Sequence, residues 1–224
     1  MPTANIFTWK DGRGWLILSG GGIQGSDPEA QALAKIPAGD PVAYVFAASD
    51  IEAGDQHLAD LEDAGAPAGY LLDVTSEDDA TLRAQLNEAG MILLGDGPNV
   101  AALRGGLVGA AAEAMQSAFA EGAVIFGIGA GAAVLGAYFV AAQGDLRPGF
   151  GWLTNAIILP TGGTFPLEDA KVQKLLIEHP ECYVIALGDE SALAFGPDGQ
   201  VETWGERRLG VTLGTAYIPN AQEG

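Results

Sequence analysis

The stretch that most constrains this chain is Ala123–Gly136, which reads A-V-I-F-G-I-G-A-G-A-A-V-L-G. A short apolar run, Ala123–Phe126, precedes a glycine-dense turn, and Ala130–Leu135 has the composition of a helix start. A strand, a tight turn and a helix in this order are typical of hydrolases that raise a nucleophile above a sheet between small residues. The layout is G-x-G-A-G-A, and Gly129 stands at the nucleophile position. The sequence therefore predicts the frame of an active site without its reactive side chain.

Apolar runs alternate with helical patterns before and within this stretch, which predicts a parallel sheet with helices on both faces. With 48% hydrophobic residues the chain can bury one sizeable core. We therefore expect one domain over residues 1–224, a three-layer α/β/α fold with a mostly parallel, flavodoxin-like sheet. The predicted strands are Trp15–Ser19, Val42–Ala47, Tyr70–Val74, Met91–Leu94 and Ala123–Phe126. The predicted helices cover Asp27–Lys35, Ala53–Ala64, Glu77–Ala89 and Val100–Glu121, the last broken at Gly105-Gly106.

The last third of the chain is richer in strand patterns. The predicted elements are a strand at Ala156–Leu159, a helix at Leu167–Glu178, and strands at Tyr183–Leu187, Ser191–Phe195, Val201–Trp204 and Leu209–Leu213. Pro197-Asp198-Gly199 is a clear turn signal between two of these strands. The pattern predicts a C-terminal β-hairpin or meander that completes the domain.

Three glycine-rich turns, at residues 20–22, 95–97 and 127–131, follow predicted strands directly. Loops at the carboxyl ends of parallel strands carry the ligand site in such folds. We therefore expect the three turns to meet in one crevice. Backbone N–H groups in turns of this kind can hold a carboxylate or a developing oxyanion.

Charge and cysteine content exclude several classes of partner. Ten basic residues face 29 acidic ones, for a formal net charge of −19. Such a surface repels phosphate backbones and anionic membranes, so we expect neither nucleic acid nor membrane as a partner. One cysteine rules out an intrachain disulfide, and no basic region followed by an apolar core opens the chain, so we predict a cytoplasmic protein without a signal peptide. The uncharged stretch Gly122–Gly144 is long enough to cross a bilayer, but its glycines divide it into a strand and a helix of the buried kind.

Two other patterns invite functional interpretations. Gly20–Gly25 has the G-x-G-x-x-G spacing of a dinucleotide-binding turn, but Ser26-Asp27-Pro28 starts the helix only after the third glycine, and Asp50 comes late for a ribose-binding acid.

His57, between Asp55 and Asp60, is interpreted as part of a solvated helix face. His179 closes a helix, and Cys182 is predicted to pack in the core. With so few histidines and cysteines we predict no metal site, and we expect no cofactor.

Taken together, the motifs resemble the serine peptidase family that contains cyanophycinase and α-aspartyl dipeptidase, whose fold is similar to that of class I glutamine amidotransferases. The likeness runs from about Trp15 to Gly214. The segments that carry it are Gly20-Gly21, Ile92–Asn99 (which resembles an apolar strand followed by Gly-Gly-Asp/Asn-Gln/Thr, with Asp96 in place of one glycine), Gly127–Ala132, Gly149–Leu153 and Gly188–Leu193.

The resemblance implies a catalytic serine, histidine and acidic residue, and this chain departs from that set. The nucleophile position falls on Gly129, the histidine position falls on Thr164, and only Glu190 retains the acidic residue. The resemblance also implies a ligand crevice formed by Gly20, Gly21, Gly97, Asn99 and Ala130, in which the N–H groups of Gly97 and Ala130 form the oxyanion cradle.

Acyl transfer by this family's chemistry needs the nucleophile and the base together, and loss of either costs several orders of magnitude in rate. The first hypothesis is therefore a non-catalytic relative that binds a small peptide-like or carboxylate ligand or acts through surface and homo-oligomer contacts. A second is an active hydrolase with relocated groups, for which the candidates are Ser19, Thr161, Thr164 and Ser191 with Glu190 as base. A third is a nucleotide-binding domain that uses Gly20–Gly25.

Overall fold

The computed structural model describes residues 4–22, 25–142, 144–161 and 170–221, which form fourteen strands and seven α-helices. The strands are β1 (Ala4–Asn5), β2 (Leu16–Ser19), β3 (Val42–Val45), β4 (Gly69–Leu72), β5 (Met91–Leu94), β6 (Val124–Ile128), β7 (Tyr138–Val140), β8 (Leu146–Pro148), β9 (Ala156–Pro160), β10 (Tyr183–Leu187), β11 (Ser191–Phe195), β12 (Val201–Gly205), β13 (Leu209–Leu213) and β14 (Asn220–Ala221). The helices are α1 (Asp27–Leu33), α2 (Ile51–Asp63), α3 (Asp79–Glu88), α4 (Val100–Gly106), α5 (Ala110–Glu121), α6 (Ala130–Leu135) and α7 (Ala170–Glu178).

A seven-stranded sheet with the order β12-β11-β2-β6-β5-β3-β4 forms the centre of the molecule. The five strands from β2 to β4 in that order are parallel, and β11 and β12 join antiparallel at one edge. Strands β2, β3, β5 and β6 are buried along their whole length. Continuous burial explains why these strands are uniformly apolar rather than alternating, since both faces of the sheet are covered. The predicted mostly parallel, flavodoxin-like sheet is confirmed.

Helices cover both faces of this sheet. On one face Ala32 of α1 and Leu58 and Leu61 of α2 pack in the same cluster as inward residues of β2, β3, β5 and β6. On the other face Leu82 of α3 and Met115 of α5 lie in a second, larger cluster, to which α4 and α6 also contribute. The long alanine-rich helix is broken as predicted, although α4 includes Gly105-Gly106 and the gap before α5 covers residues 107–109.

A second sheet, with the order β13-β10-β9-β7-β8, was not predicted as a separate sheet. The prediction placed the C-terminal strands in one hairpin or meander. The predicted hairpin is confirmed by β11 and β12, which pair antiparallel at the edge of the central sheet, whereas β13 leaves this hairpin and pairs with β10 in the second sheet. Strands β7 and β8 escaped prediction because each has only three residues and no alternation long enough to recognise. The large hydrophobic cluster contains Leu16, Ile158 and Tyr183, so the two sheets share one core.

Within the uncharged stretch Gly122–Gly144, β6 and α6 are buried and β7 is partly buried. Among the helices of the described residues, none is both long and apolar enough to cross a membrane.

Candidate active site

A sharp turn joins β6 to α6 at Gly129, which has φ +51° and ψ −112°. The flanking glycines allow this turn to pack tightly: a Cβ on Gly131 would lie 2.0 Å from the carbonyl oxygen of Leu94, and a Cβ on Gly127 would lie 2.7 Å from the amide nitrogen of Ala132. A strand, a strained turn and a buried helix with small flanking residues are the geometry of a nucleophile elbow. The predicted frame is therefore present, with no side chain at its apex.

The carboxylate of Asp96 occupies the space above the elbow. Asp96 Oδ1 accepts hydrogen bonds from the amide N–H of Gly97 and of Ala130, each at 2.8 Å. A Cβ built on Gly129 would lie 2.1 Å from the same oxygen. Gly97 and Ala130 are the two donors expected to stabilise an oxyanion, and a carboxylate oxygen is the charged acceptor that such a pair favours. The Asp96 side chain therefore occupies the pair of donors that the sequence predicted as an oxyanion cradle.

The three glycine-rich turns meet at this place, as predicted. Strands β2, β6 and β5 are neighbours in the sheet, and the amide of Gly129 donates to the carbonyl oxygen of Ser19 at 3.0 Å. A Cβ on Gly21 would lie 3.8 Å from Asp96 Oδ2, so the second carboxylate oxygen faces the first turn. A cavity of about 190 Å³ opens there, lined by Ser19, Gly21, Gly22, Ser26, Glu29, Tyr44, Ser49, Ala53, His57, Asp96 and Ile128.

A buried chain of hydrogen bonds runs along one side of this cavity. The hydroxyl of Tyr44 lies 3.2 Å from His57 Nδ1, and His57 Nε2 lies 2.9 Å from Glu29 Oε1. Glu29 Oε2 in turn accepts the amide N–H of Gly25 at 2.6 Å. Burial raises the pKa of Tyr44 to about 12, with smaller contributions from the negative charges of Asp96 and Glu29. The Tyr44 hydroxyl therefore stays protonated at neutral pH.

The interpretation of His57 as part of a solvated face is wrong, because its side chain is only 9% exposed. The acidic neighbours Asp55 and Asp60 indicate solvent exposure, whereas the helical period indicates burial. The buried residues of α2 are Gly54, His57, Leu58 and Leu61, which follow the i, i+3, i+4, i+7 spacing of an inner face. That spacing was the signal that could have placed His57 inside.

The other site residues that the resemblance implied lie near the first glycine-rich turn or cap a helix, and none of them contacts the Asp96 carboxylate among the hydrogen bonds of the described residues. Asn99 Oδ1 accepts the amide N–H of Ala102 and caps α4. Gly20 donates its N–H to the carbonyl oxygen of Ser191. Glu190 has φ +54° and donates its amide N–H to the carbonyl oxygen of Gly21, so its backbone borders the first turn. Its side chain lines a separate depression with Asp27, Gly205 and Glu206 and does not line the cavity beside Asp96.

Most of the hydroxyl groups that the sequence suggested as relocated nucleophiles already form hydrogen bonds within the protein. Ser191 is fully buried, and its Oγ donates to the carbonyl oxygen of Asp189 and accepts from the amide of Arg208. Thr161 Oγ1 donates to the carbonyl oxygen of Leu187. Thr164 lies outside the described residues. Ser19 alone of the described candidates lines the cavity, where its Oγ accepts the amide N–H of Gly21 at 3.3 Å.

The geometry gives little support to a nucleotide at Gly20–Gly25, of which residues 23–24 lie outside the described part of the chain. The N–H of Gly25 is taken by the buried Glu29 carboxylate, whose negative charge would oppose a pyrophosphate. Asp50, the late candidate for a ribose contact, caps α2 by accepting the amide N–H of Ala53.

One cluster has the residue types of a metal site. Donor atoms of His179, Glu181 and Cys182 lie within 4.8 Å of one another. Cys182 is fully buried, and burial, together with the Glu181 charge, raises the pKa of its thiol to about 11. A thiol must lose its proton to bind a metal, so these surroundings oppose coordination. Its burial confirms the prediction that Cys182 packs in the core.

The fold is that of a three-layer α/β protein with a hydrolase-type architecture, in which a sharp strand–turn–helix follows the central strand β6. The family model of peptidase family S51 matches residues 15–202, so the chain belongs to this family. It is similar to the crystal structure of a peptidase from an acI-B1 Actinobacterium (TM-score 0.69, 17% identity, 92% of this chain and 97% of the other). It is also similar to a peptidase E-type protein from Listeria monocytogenes EGD-e (TM-score 0.61, 16% identity, 85% and 97%). A search of curated proteins finds no match.

Proposed function

We propose that this chain is a non-catalytic member of peptidase family S51 that binds a small peptide-like ligand in the crevice between its three glycine-rich turns. The observation that carries the proposal is the position of Asp96, whose carboxylate accepts both N–H groups of the oxyanion cradle. A substrate carbonyl would have to displace that carboxylate before its own oxygen could be stabilised.

The loss of the nucleophile and the filling of the cradle act on the same step. Acyl transfer requires an attacking atom and donors aimed at the developing oxyanion. Residue 129 supplies no attacking atom, and Asp96 supplies a negative charge where the oxyanion would form. A second negative charge at that position is strongly unfavourable, so the two changes together oppose hydrolysis.

The competing function is a hydrolase that uses a relocated nucleophile, and one observation favours it. Ser19, His57 and Glu29 line the same cavity, which is the residue set of a catalytic triad. Both ring nitrogens of His57 are nevertheless engaged, by Tyr44 and by Glu29, so neither is available to take a proton from Ser19. The non-catalytic proposal therefore ranks first.

The test is an assay of purified protein with α-aspartyl and β-aspartyl dipeptides, together with a fluorophosphonate probe that labels activated serines. We expect no turnover and no labelling. A labelled protein whose label disappears in Ser19→Ala would overturn the proposal in favour of a relocated nucleophile. Turnover that is lost in Thr164→Ala would overturn it in the same way. Ser117→Ala, on the exposed surface of α5, is the matched control for loss of a hydroxyl elsewhere.

A further inference from the structure

The cavity beside Asp96 presents hydrogen-bond acceptors and negative charge. Asp96 Oδ2 accepts no hydrogen bond from the described residues, and it faces the turn at Gly21. Ser19 Oγ and the Tyr44 hydroxyl oxygen line the same space. Among the described residues no lysine or arginine lines the cavity, so nothing with a fixed positive charge compensates Asp96.

The buried histidine does not reverse this balance. His57 Nε2 is paired with Glu29 Oε1, so a proton on the ring is neutralised by that carboxylate. If the His57 ring is charged, the cavity has the single negative charge of Asp96. If the ring is neutral, the charges of both Asp96 and Glu29 remain. In both states a ligand meets a net negative site, and a ligand carboxylate would face repulsion from Asp96.

We propose that this cavity binds a primary ammonium group, with Asp96 Oδ2 as its charged acceptor and Ser19 and Tyr44 as neutral ones. The inference rests on the proposed binding function and replaces the expected carboxylate ligand with a cationic one. An ammonium group has three donors and needs several acceptors around it. A volume of about 190 Å³ has room for a group the size of a small amino acid amide, whereas one bulk water occupies about 30 Å³.

A metal ion suits the cavity less well. Hard divalent cations take six or more oxygen ligands and favour several carboxylates. Both oxygens of Glu29 are already engaged, by His57 and by the amide of Gly25, which leaves one carboxylate oxygen, Asp96 Oδ2, without a partner among the described residues. One free carboxylate oxygen and neutral hydroxyls match an ammonium group better than a divalent ion.

The experiment compares three probes of similar size at pH 6.5: glycinamide, a cation; N-acetylglycinamide, which is neutral; and N-acetylglycine, an anion. Binding is followed through the backbone amide signals of Gly21, Gly97 and Ala130 in NMR titrations. We expect saturable shifts with glycinamide alone. Asp96→Asn keeps an oxygen for the Gly97 and Ala130 amides but replaces Oδ2 with an NH2 donor and removes the charge, so it should weaken glycinamide binding about threefold or more, as expected for an exposed carboxylate. Asp63→Asn, on the exposed face of α2, removes the same charge elsewhere and should leave binding unchanged.

Three results would overturn the inference. N-acetylglycine could bind more tightly than glycinamide, Asp63→Asn could weaken binding as much as Asp96→Asn, or Mg²⁺ or Ca²⁺ could shift the same signals at lower concentration than glycinamide. Release of ammonia from glycinamide would contradict the proposal that the protein is non-catalytic, but it would not contradict the inference that the cavity binds an ammonium group. The failures of the two proposals are therefore distinguishable.

Discussion

Asp96 Oδ1 lies where the side chain of residue 129 would begin, because a Cβ built on Gly129 would be 2.1 Å from that oxygen. Asp96 and Gly129, the two positions at which the sequence was expected to depart from the family pattern, therefore compete for the same space. A side chain at 129 and a carboxylate at 96 cannot both occupy the cradle. With Asp96 in place, any side chain at position 129 would overlap its carboxylate.

The first prediction concerns this mutual exclusion. Gly129→Ser should lower the melting temperature by several degrees, because the new Cβ overlaps the Asp96 carboxylate and the backbone has positive φ. Gly109→Ser is the matched control, since Gly109 has nearly the same backbone angles (φ +52°, ψ −122°) and open space around its Cβ position. Adding Asp96→Gly should rescue Gly129→Ser and not Gly109→Ser, as thermal unfolding of the double-mutant cycle would measure. Equal losses at both glycines, with no rescue, would contradict the overlap.

The second prediction concerns the cradle itself. Asp96→Ala frees the N–H groups of Gly97 and Ala130, which should then bind a small carboxylate such as acetate. Asp96→Asn retains an oxygen acceptor for the same two donors and should not gain acetate binding. Backbone amide shifts of Gly97 and Ala130 on addition of acetate are the measurement. Acetate binding to the unchanged protein at these amides would show that Asp96 does not hold the cradle.

Much of the central sheet could be predicted from the sequence, because buried parallel strands are short, uniformly apolar runs that end in glycine-rich turns. The elbow followed from the same logic, since Gly127 and Gly131 mark places where a strand and a helix must approach closely. The meeting of three turns followed from parallel topology alone.

The occupation of the cradle could not be predicted in the same way. The sequence indicated that Asp96 stands where the family has a glycine, but the position of its carboxylate depends on a contact between residues 34 positions apart. The Tyr44–His57–Glu29 chain likewise joins three elements, and His57 alone carried a readable signal in its helical spacing. Three strands of the second sheet were predicted, but β7 and β8 were missed because each has only three residues, and the separation of these strands from the central sheet depends on long-range pairing.

The third prediction concerns the buried pair of Glu29 and His57. Glu29→Gln should lower the free energy of unfolding by about 2 to 4 kcal/mol, because it removes the charged partner of a buried ring and weakens the bond to the Gly25 amide. Glu178→Gln, which breaks an exposed pair with Lys174 on α7, is the matched control and should cost about 0.5 kcal/mol or less. Urea unfolding of both variants is the measurement. Similar small losses in the two variants would mean that the Glu29 carboxylate contributes no more than a surface charge.

The last prediction uses the pKa of Tyr44, which burial raises to about 12, helped by the charges of Asp96 and Glu29. Tyrosine in the unfolded chain loses its proton near its ordinary pKa of 10, so the raised value favours the folded state fully below pH 10. That contribution is lost as the pH rises from 10 towards 12. As the pH rises from 10 to 12, the unchanged protein should therefore lose stability relative to Tyr44→Phe. The difference in absorbance at 295 nm between the unchanged protein and Tyr44→Phe, followed as the pH rises, isolates the Tyr44 phenolate. In an Asp96→Asn background the Tyr44 hydroxyl should lose its proton at lower pH, because the nearby negative charge is gone. An unchanged midpoint in that background would mean that Asp96 does not act on Tyr44 across the cavity.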